Sequence, residues 1–207
     1  MANILHIDSS PRSERSHSRE LSKELIAAWK AAHPEDAIAY RDLGRHPVPH
    51  VDEPWIAAAF SPPSTHTPEL AAAIRISDEL IDEFLAADRY VFGVPMYNLN
   101  VPSTFKAYID QIVRVYRTFV VDAQGNYKGL VEGKKAVIIT ARGSDFSATS
   151  PLAAYDFQEP YLRAIFGFIG LTDIQFINAN SLSEGDTSRA QSLAEARTAI
   201  QNLITQW

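Results

Sequence analysis

Three short stretches hold the side chains best placed to bind or react. The first is SSPRSERSHS, residues 9–18, directly after Asp8, with five serines, and with Arg12, Arg15 and then Arg19 beside them. It runs straight into a helical pattern. Hydroxyl donors, free first-turn amides and a helix dipole together make an anion site, and a phosphate suits it. The plainer alternative is a polar loop in which Ser18 caps the helix. The chain has no Gly-x-Gly-x-x-Gly and no Gly-x4-Gly-Lys-Ser/Thr, so the close backbone approach those loops give a pyrophosphate is not encoded. A serine-lined pocket better fits one terminal phosphate.

The second stretch is PMYNLN, residues 95–100. Met96 and Leu99 offer an apolar floor to a flat ring, Asn98 an amide that donates and accepts, and Tyr97 either. The third is TARGSD, residues 140–145. Gly143 permits close backbone approach, and the amides around Arg142 to Ser144 could face ring heteroatoms. Arg142 has two open roles: neutralising charge on a reduced ring, or pairing with a nearby acid. A flat, partly polar ring with a phosphate tail describes flavin mononucleotide (FMN). The alternative is that Met96, Tyr97 and Leu99 are core residues at a strand end and the asparagines serve a turn.

Composition removes other chemistries. There is no cysteine, so disulfides, thiolate catalysis and zinc–cysteine sites are excluded. The six histidines form no His-x-x-x-His or His-Glu-x-x-His pair, and no metal site is expected. The net charge of −6 argues against a nucleic-acid binder or a partner of anionic membrane. No apolar run approaches the roughly 20 residues of a spanning helix, and MANILHIDSS lacks the features of a signal peptide. A soluble, cytoplasmic protein is expected. No Gly-x-Ser-x-Gly elbow marks a serine hydrolase. A receiver-type signalling domain would share the acid at Asp8, but VFGVP lacks its acceptor aspartate.

The elements that must carry these loops alternate. Strand patterns at 3–8, 37–43, 88–94, 134–140 and 173–180 are separated by helical patterns at 18–33, 68–85, 102–116, 158–170 and 187–206. Thr67-Pro68-Glu69 opens a helix as cap, first-turn proline and early acid, with a stripe of Leu70, Ile74, Ser77, Ile81 and Leu85. The helix from 102 should bury Phe105, Tyr108, Ile109, Ile112 and Tyr116. TFVVDAQGNYKGLVEG reads as a hairpin turning at Gln124-Gly125-Asn126. The Pro- and His-rich connection 44–67 should be irregular, with one helical piece near Trp55 to Phe60. Such alternation predicts a single α/β domain over 1–207: a three-layer, doubly wound, five-stranded parallel sheet of order 2-1-3-4-5. Ligands of such sheets bind beyond the carboxyl ends of the strands, beside strands 1 and 3. All three stretches should therefore converge on one edge.

SSPRSERSHS (9–18), PMYNLNVPSTFKAYID (95–110), KGLVEGKKAVIITARGS (128–144) and PYLRAIFGFIGLTDIQFI (160–177) together resemble the FMN-dependent NADH:azoreductases, quinone reductases of flavodoxin-like fold. The similarity extends over essentially the whole chain. The resemblance implies a homodimer with one FMN per subunit at the interface. It implies FMN contacts from Ser10, Ser16, His17 and Ser18 at the phosphate, and from Pro95, Met96, Tyr97, Asn98, Leu99, Ala141, Arg142, Gly143 and Ser144 along the ring. Ala141, Ser144 and Leu99 depart from the family pattern, which has Ser, Gly and commonly Phe there; substrate range and nicotinamide preference are the properties this touches. The implied activity is ping-pong: NADH or NADPH reduces FMN, then a quinone or azo compound takes two electrons. The chemistry is the cofactor's, so no catalytic side chain is assigned. Phe60, Phe119, Tyr127 and Phe166, with Phe146 and Phe168, are candidate walls of the substrate space. A flavodoxin-type electron carrier without its own substrate is the alternative.

Overall fold

The structure is a computed structural model describing residues 1–207. Five strands form one parallel sheet: β1 (Asn3–Asp8), β2 (Ala37–Asp42), β3 (Arg89–Pro95), β6 (Lys135–Ala141) and β7 (Asp173–Ala179), in the order β2-β1-β3-β6-β7. That is the 2-1-3-4-5 order expected from the alternation. The two remaining strands, β4 (Phe119–Val121) and β5 (Tyr127–Gly129), form an antiparallel hairpin outside the sheet. Asp122 closes its turn by accepting the amides of Gln124 and Asn126, both at 2.9 Å. Gly129 must be glycine, because a Cβ there would lie 2.2 Å from the Gly170 amide nitrogen.

The helices are α1 (His17–Ala32), α2 (Glu53–Ala59), α3 (Pro68–Ala86), α4 (Ser103–Ile112), α5 (Glu159–Phe168) and α6 (Asp186–Ile204). Two apolar layers flank the sheet. Leu5, Ile7, Phe92, Phe105, Tyr108 and Ile138 belong to the layer under α3, α4 and α5. Ile4, Leu21, Leu25, Val91, Val137 and Ile200 belong to the layer under α1 and α6. Alternate residues of β1 thus serve opposite faces. β3 and β6 are central and buried on both sides, which is why they read as nearly unbroken apolar runs.

Three local expectations are corrected. Ser16, not Ser18, caps α1; its backbone is extended and its hydroxyl receives the Arg19 amide, while Ser18 is buried in the first turn. α4 ends at Ile112, and Tyr116 is exposed with φ 65°, outside the helix and outside the core. The Thr118 hydroxyl takes the Arg114 amide at 3.0 Å and so competes for the backbone there. The helical piece of the 44–67 connection begins at Glu53 because Asp52 caps it. Thr67 caps α3 as expected, accepting the Leu70 amide, and Ile74, Ser77 and Ile81 of the stripe are buried.

Candidate cofactor site

Register sets the depth of the site. Asp8 lies opposite Gly93 in the β1–β3 ladder, and Pro95 lies opposite Ala141 in the β3–β6 ladder. The three stretches therefore leave the sheet at nearly one level and meet at its carboxyl edge. Between them is a cleft of about 260 Å³ lined by Ser10, Arg12, Arg15, Ser16 and His17 at one end, and by Pro95, Met96, Tyr97, Ala141, Arg142 and Gly143 at the other.

The first end has the makings of an anion cradle. The amides of Ser10, His17 and Ser18 have no acceptor within the chain, as the first turn of a helix requires. The Ser16 and Ser18 hydroxyls lie 3.3 Å apart and are buried. His17 Nδ1 is buried, makes no hydrogen bond and lies 3.6 Å from the Glu20 carboxylate. Arg12 and Arg15 line the same end. Donors left without partners around one small space are an unmet demand for an acceptor.

At the other end, Tyr97 to Asn100 is a tight turn. The two residues exchange both backbone bonds, at 2.8 and 3.0 Å, and Asn98 and Leu99 both have positive φ, 48° and 68°. Asparagine tolerates that region; leucine does so at a cost. Asn98 lines a hollow beside the cleft, together with Tyr97, Asn100, Val101, Ser103, Lys106 and Tyr161, and Tyr97 lines both. The amides of Gly143 and Ser144 are free. Leu99, Ser18 and Ser144 do not line the cleft surface with their side chains; Ser18 lies beneath it.

Arg142 resolves into one of its two open roles. Its guanidinium turns inward, 3.0 Å from Asp156 and 3.8 Å from Glu159, and Nε donates to Gln158 at 3.1 Å. Burial lowers its pKa, and the two acids offset only part of that. The Arg142 amide is itself taken by the Ala179 carbonyl at 2.8 Å, so the free amides of this loop begin at Gly143. Leu182 and Ser183 line the cleft as well and were not anticipated. Their amides donate to the Arg142 and Gly143 carbonyls at 3.1 and 2.8 Å, which pins the loop after β7 to the loop after β6. The strand order alone, with β7 beside β6, was the available signal.

The candidate substrate aromatics divide. Phe60, 74% exposed, and Phe119 border an apolar trough of about 370 Å³ with Trp55, Val113, Tyr161 and Ile165. Tyr127 is exposed and packs against Phe119 and Phe168, with centroids 6.0 and 5.4 Å away. Phe166 is corrected: it is fully buried and stacked on Phe92 at 5.1 Å, because it sits on the inward stripe of α5. Phe146 is also buried.

The family model described as the flavodoxin-like fold matches residues 2–204. An FMN-dependent NADH:quinone oxidoreductase of Nostoc punctiforme is 83% identical over 207 residues, covering all of both chains. The chain belongs to the FMN-dependent NADH:quinone oxidoreductase family. A family member from Azotobacter vinelandii is 44% identical over 97% of this chain and 98% of its own. The crystal structure of an azoreductase from Bacillus anthracis superposes over the full length of both chains with a TM-score of 0.92 at 27% identity. An FMN-dependent NADH-azoreductase of the same species, solved with FMN, shares the fold at TM-score 0.86 and 24% identity over 99% of this chain and all of its own. Ala141, at the end of β6, lines the cleft, while Leu99 and Ser144 lie in the loops beside it.

Proposed function

We propose that this chain is an FMN-dependent oxidoreductase that carries two electrons from NADH to quinones and aromatic azo compounds, residues 1–207 acting as one FMN-binding unit. The observation that carries the proposal is the single cleft that joins a donor-rich end to an apolar end. Relatives whose names specify FMN, NADH and quinone support the same reading. Ser10, Ser16, His17 and Ser18, with the free helix amides, would take the phosphate. Pro95, Met96, Tyr97, Asn98, Leu99, Ala141, Arg142, Gly143 and Ser144 would border the ring, mostly through backbone. When bound, FMN supplies hydride acceptance and release at its N5. The chain's own part would be to hold the phosphate at the donor-rich end and the ring at the other.

A homodimer belongs to this proposal. The trough bordered by Trp55, Phe60, Val113 and Phe119 is apolar and open to solvent, as a surface covered by a second copy would be. Sedimentation equilibrium should give twice the 23.0 kDa chain mass. No helix is long and apolar enough to cross a membrane, and the cytoplasm, where NADH is at hand, is the proposed compartment.

The test is anaerobic. NADH should bleach the visible flavin band of the purified protein, and a quinone should restore it. A protein that stays colourless after FMN addition would overturn the cofactor reading. A flavin that bleaches but sustains no NADH oxidation with any quinone would favour an electron carrier of flavodoxin type.

A further inference from the structure

Behind the donor-rich end of the cleft lies a cluster that the cofactor reading does not use. Arg19 leaves the first turn of α1 on the side away from the cleft, and its side chain is only 12% exposed. Its Nε and one terminal nitrogen donate to the Ser10 carbonyl at 2.9 and 2.6 Å. The other terminal nitrogen donates to Asp42 at 2.8 Å and to the Tyr40 hydroxyl at 3.1 Å, and a further bond reaches the second Asp42 oxygen. Asp8, the last residue of β1, is 3.7 Å away and nearly buried. A guanidinium has five donors, and here five bonds engage them. Arg19 has none to offer a ligand in the cleft.

We infer that Arg19 is a positioning residue that presets the phosphate end of the cleft from behind. The inference rests on the FMN reading and extends it to residues outside the cleft. Two physical effects are combined. The paired bonds to one carbonyl fix the Ser10–Pro11 peptide and with it the Cα of Ser10, from which its amide and hydroxyl are aimed. The positive charge also stands between Asp8 and Asp42, two poorly hydrated carboxylates, and the loop that would carry a phosphate dianion. Without it, both carboxylates would repel that dianion through a medium of low dielectric. Tyr40 supports the arrangement by donating to Asp8 at 3.0 Å. Gly44 completes it: a Cβ there would fall 2.0 Å from the Ser10 carbonyl oxygen and 2.7 Å from an Arg19 nitrogen.

The phosphate gives a readout that general destabilisation does not. Full-length wild type, R19K, R19Q and R19Q/D42N, freed of flavin, would be titrated with FMN and with riboflavin by fluorescence quenching. R19Q should weaken FMN about tenfold or more, the worth of one charge-assisted hydrogen bond. Riboflavin, which lacks the phosphate, should change by less than about threefold on the same scale. R19K should fall between, and R19Q/D42N should recover part of the loss by removing one carboxylate. Equal weakening of both flavins, or of neither, would overturn the inference. Should R19Q fail to fold, R19K and the double variant decide it by the same ratio. A wild type that binds riboflavin as tightly as FMN would instead refute the phosphate reading of the cleft, a different result from an unchanged ratio in the variants.

Discussion

The Arg142 guanidinium lies 3.0 Å from the Asp156 carboxylate with 1% of its side chain exposed. Around that pair, Gln158 accepts from Arg142 and donates to the Val94 carbonyl at 3.0 Å, while Asp156 also receives the Gln158 and Glu159 amides at the start of α5. One polar cluster therefore ties the end of β3 to the loop after β6 and to α5. Removing one member of a buried pair strands the other, at a cost of about 3–5 kcal/mol. R142L is expected to lose that much in urea unfolding. D156N, which leaves Glu159 near the guanidinium, should lose less. A loss under about 1 kcal/mol for R142L would mean that the pair is not what holds the loop.

Leu99 occupies left-handed backbone at φ 68° without being glycine or asparagine. Such a position costs a leucine about 1 kcal/mol or more. L99N relieves the strain but gives up some partly buried apolar surface, and a net gain of about 0.5–1 kcal/mol is expected. Thermal unfolding would report it. Because Leu99 belongs to the turn at the apolar end of the cleft, KM for quinones should move while the melting temperature rises. A lowered melting temperature would show that the leucine side chain outweighs its backbone strain.

Ser16 has two duties that can be separated. It caps α1 and it lines the cleft. Losing the cap in S16A should cost about 1 kcal/mol of stability. Losing a hydroxyl donor should weaken FMN more than riboflavin. S16D keeps a capping oxygen but places a negative charge in the cradle, so stability should return while FMN binding falls further. Urea midpoints and flavin titrations of the two variants check both halves.

Much of this was legible in the chain because the signals were local or periodic. The apolar runs of β3 and β6 announced central strands, and the alternation of elements set the sheet order. From that order alone, Ser10, Met96 and Gly143 were expected at one edge, and they line one cleft. What was not legible depends on contacts between distant segments. Leu182 and Ser183 sit in a loop with no distinctive composition and reach the site only because β7 neighbours β6. Arg142 could be assigned to either of two roles until the position of α5 brought Asp156 beside it. Phe166 resembled its exposed neighbours in composition, and only the facing of α5 decided that it is core. Arg19 looked like one of three loop cations, yet two of its partners, Tyr40 and Asp42, come from β2, more than twenty residues on.

Asp42 carries the pH dependence of this cluster. Burial by itself would raise its pKa, but the bond from Arg19, the Arg45 amide at 3.0 Å and the charges of both arginines outweigh it, leaving the carboxyl below its usual value. In the unfolded chain an aspartate titrates near pH 3.9, by approximate reference. A folded pKa lower than the unfolded one means that the stabilisation is complete above that value and is lost as pH falls through the unfolded and then the folded pKa. Tyr40, pushed up to about 12 by burial and then by the charge of Asp8, stays neutral throughout and adds nothing to the slope. Wild type should therefore exceed D42N by about 1–3 kcal/mol at neutral pH, the worth of hydrogen bonds to a charged group. The gap should begin to close at about pH 5 and keep narrowing as pH falls below the unfolded pKa. Urea midpoints of both proteins across that range measure it. A gap that stays constant would place the stabilisation in the shape of the side chain rather than in its charge.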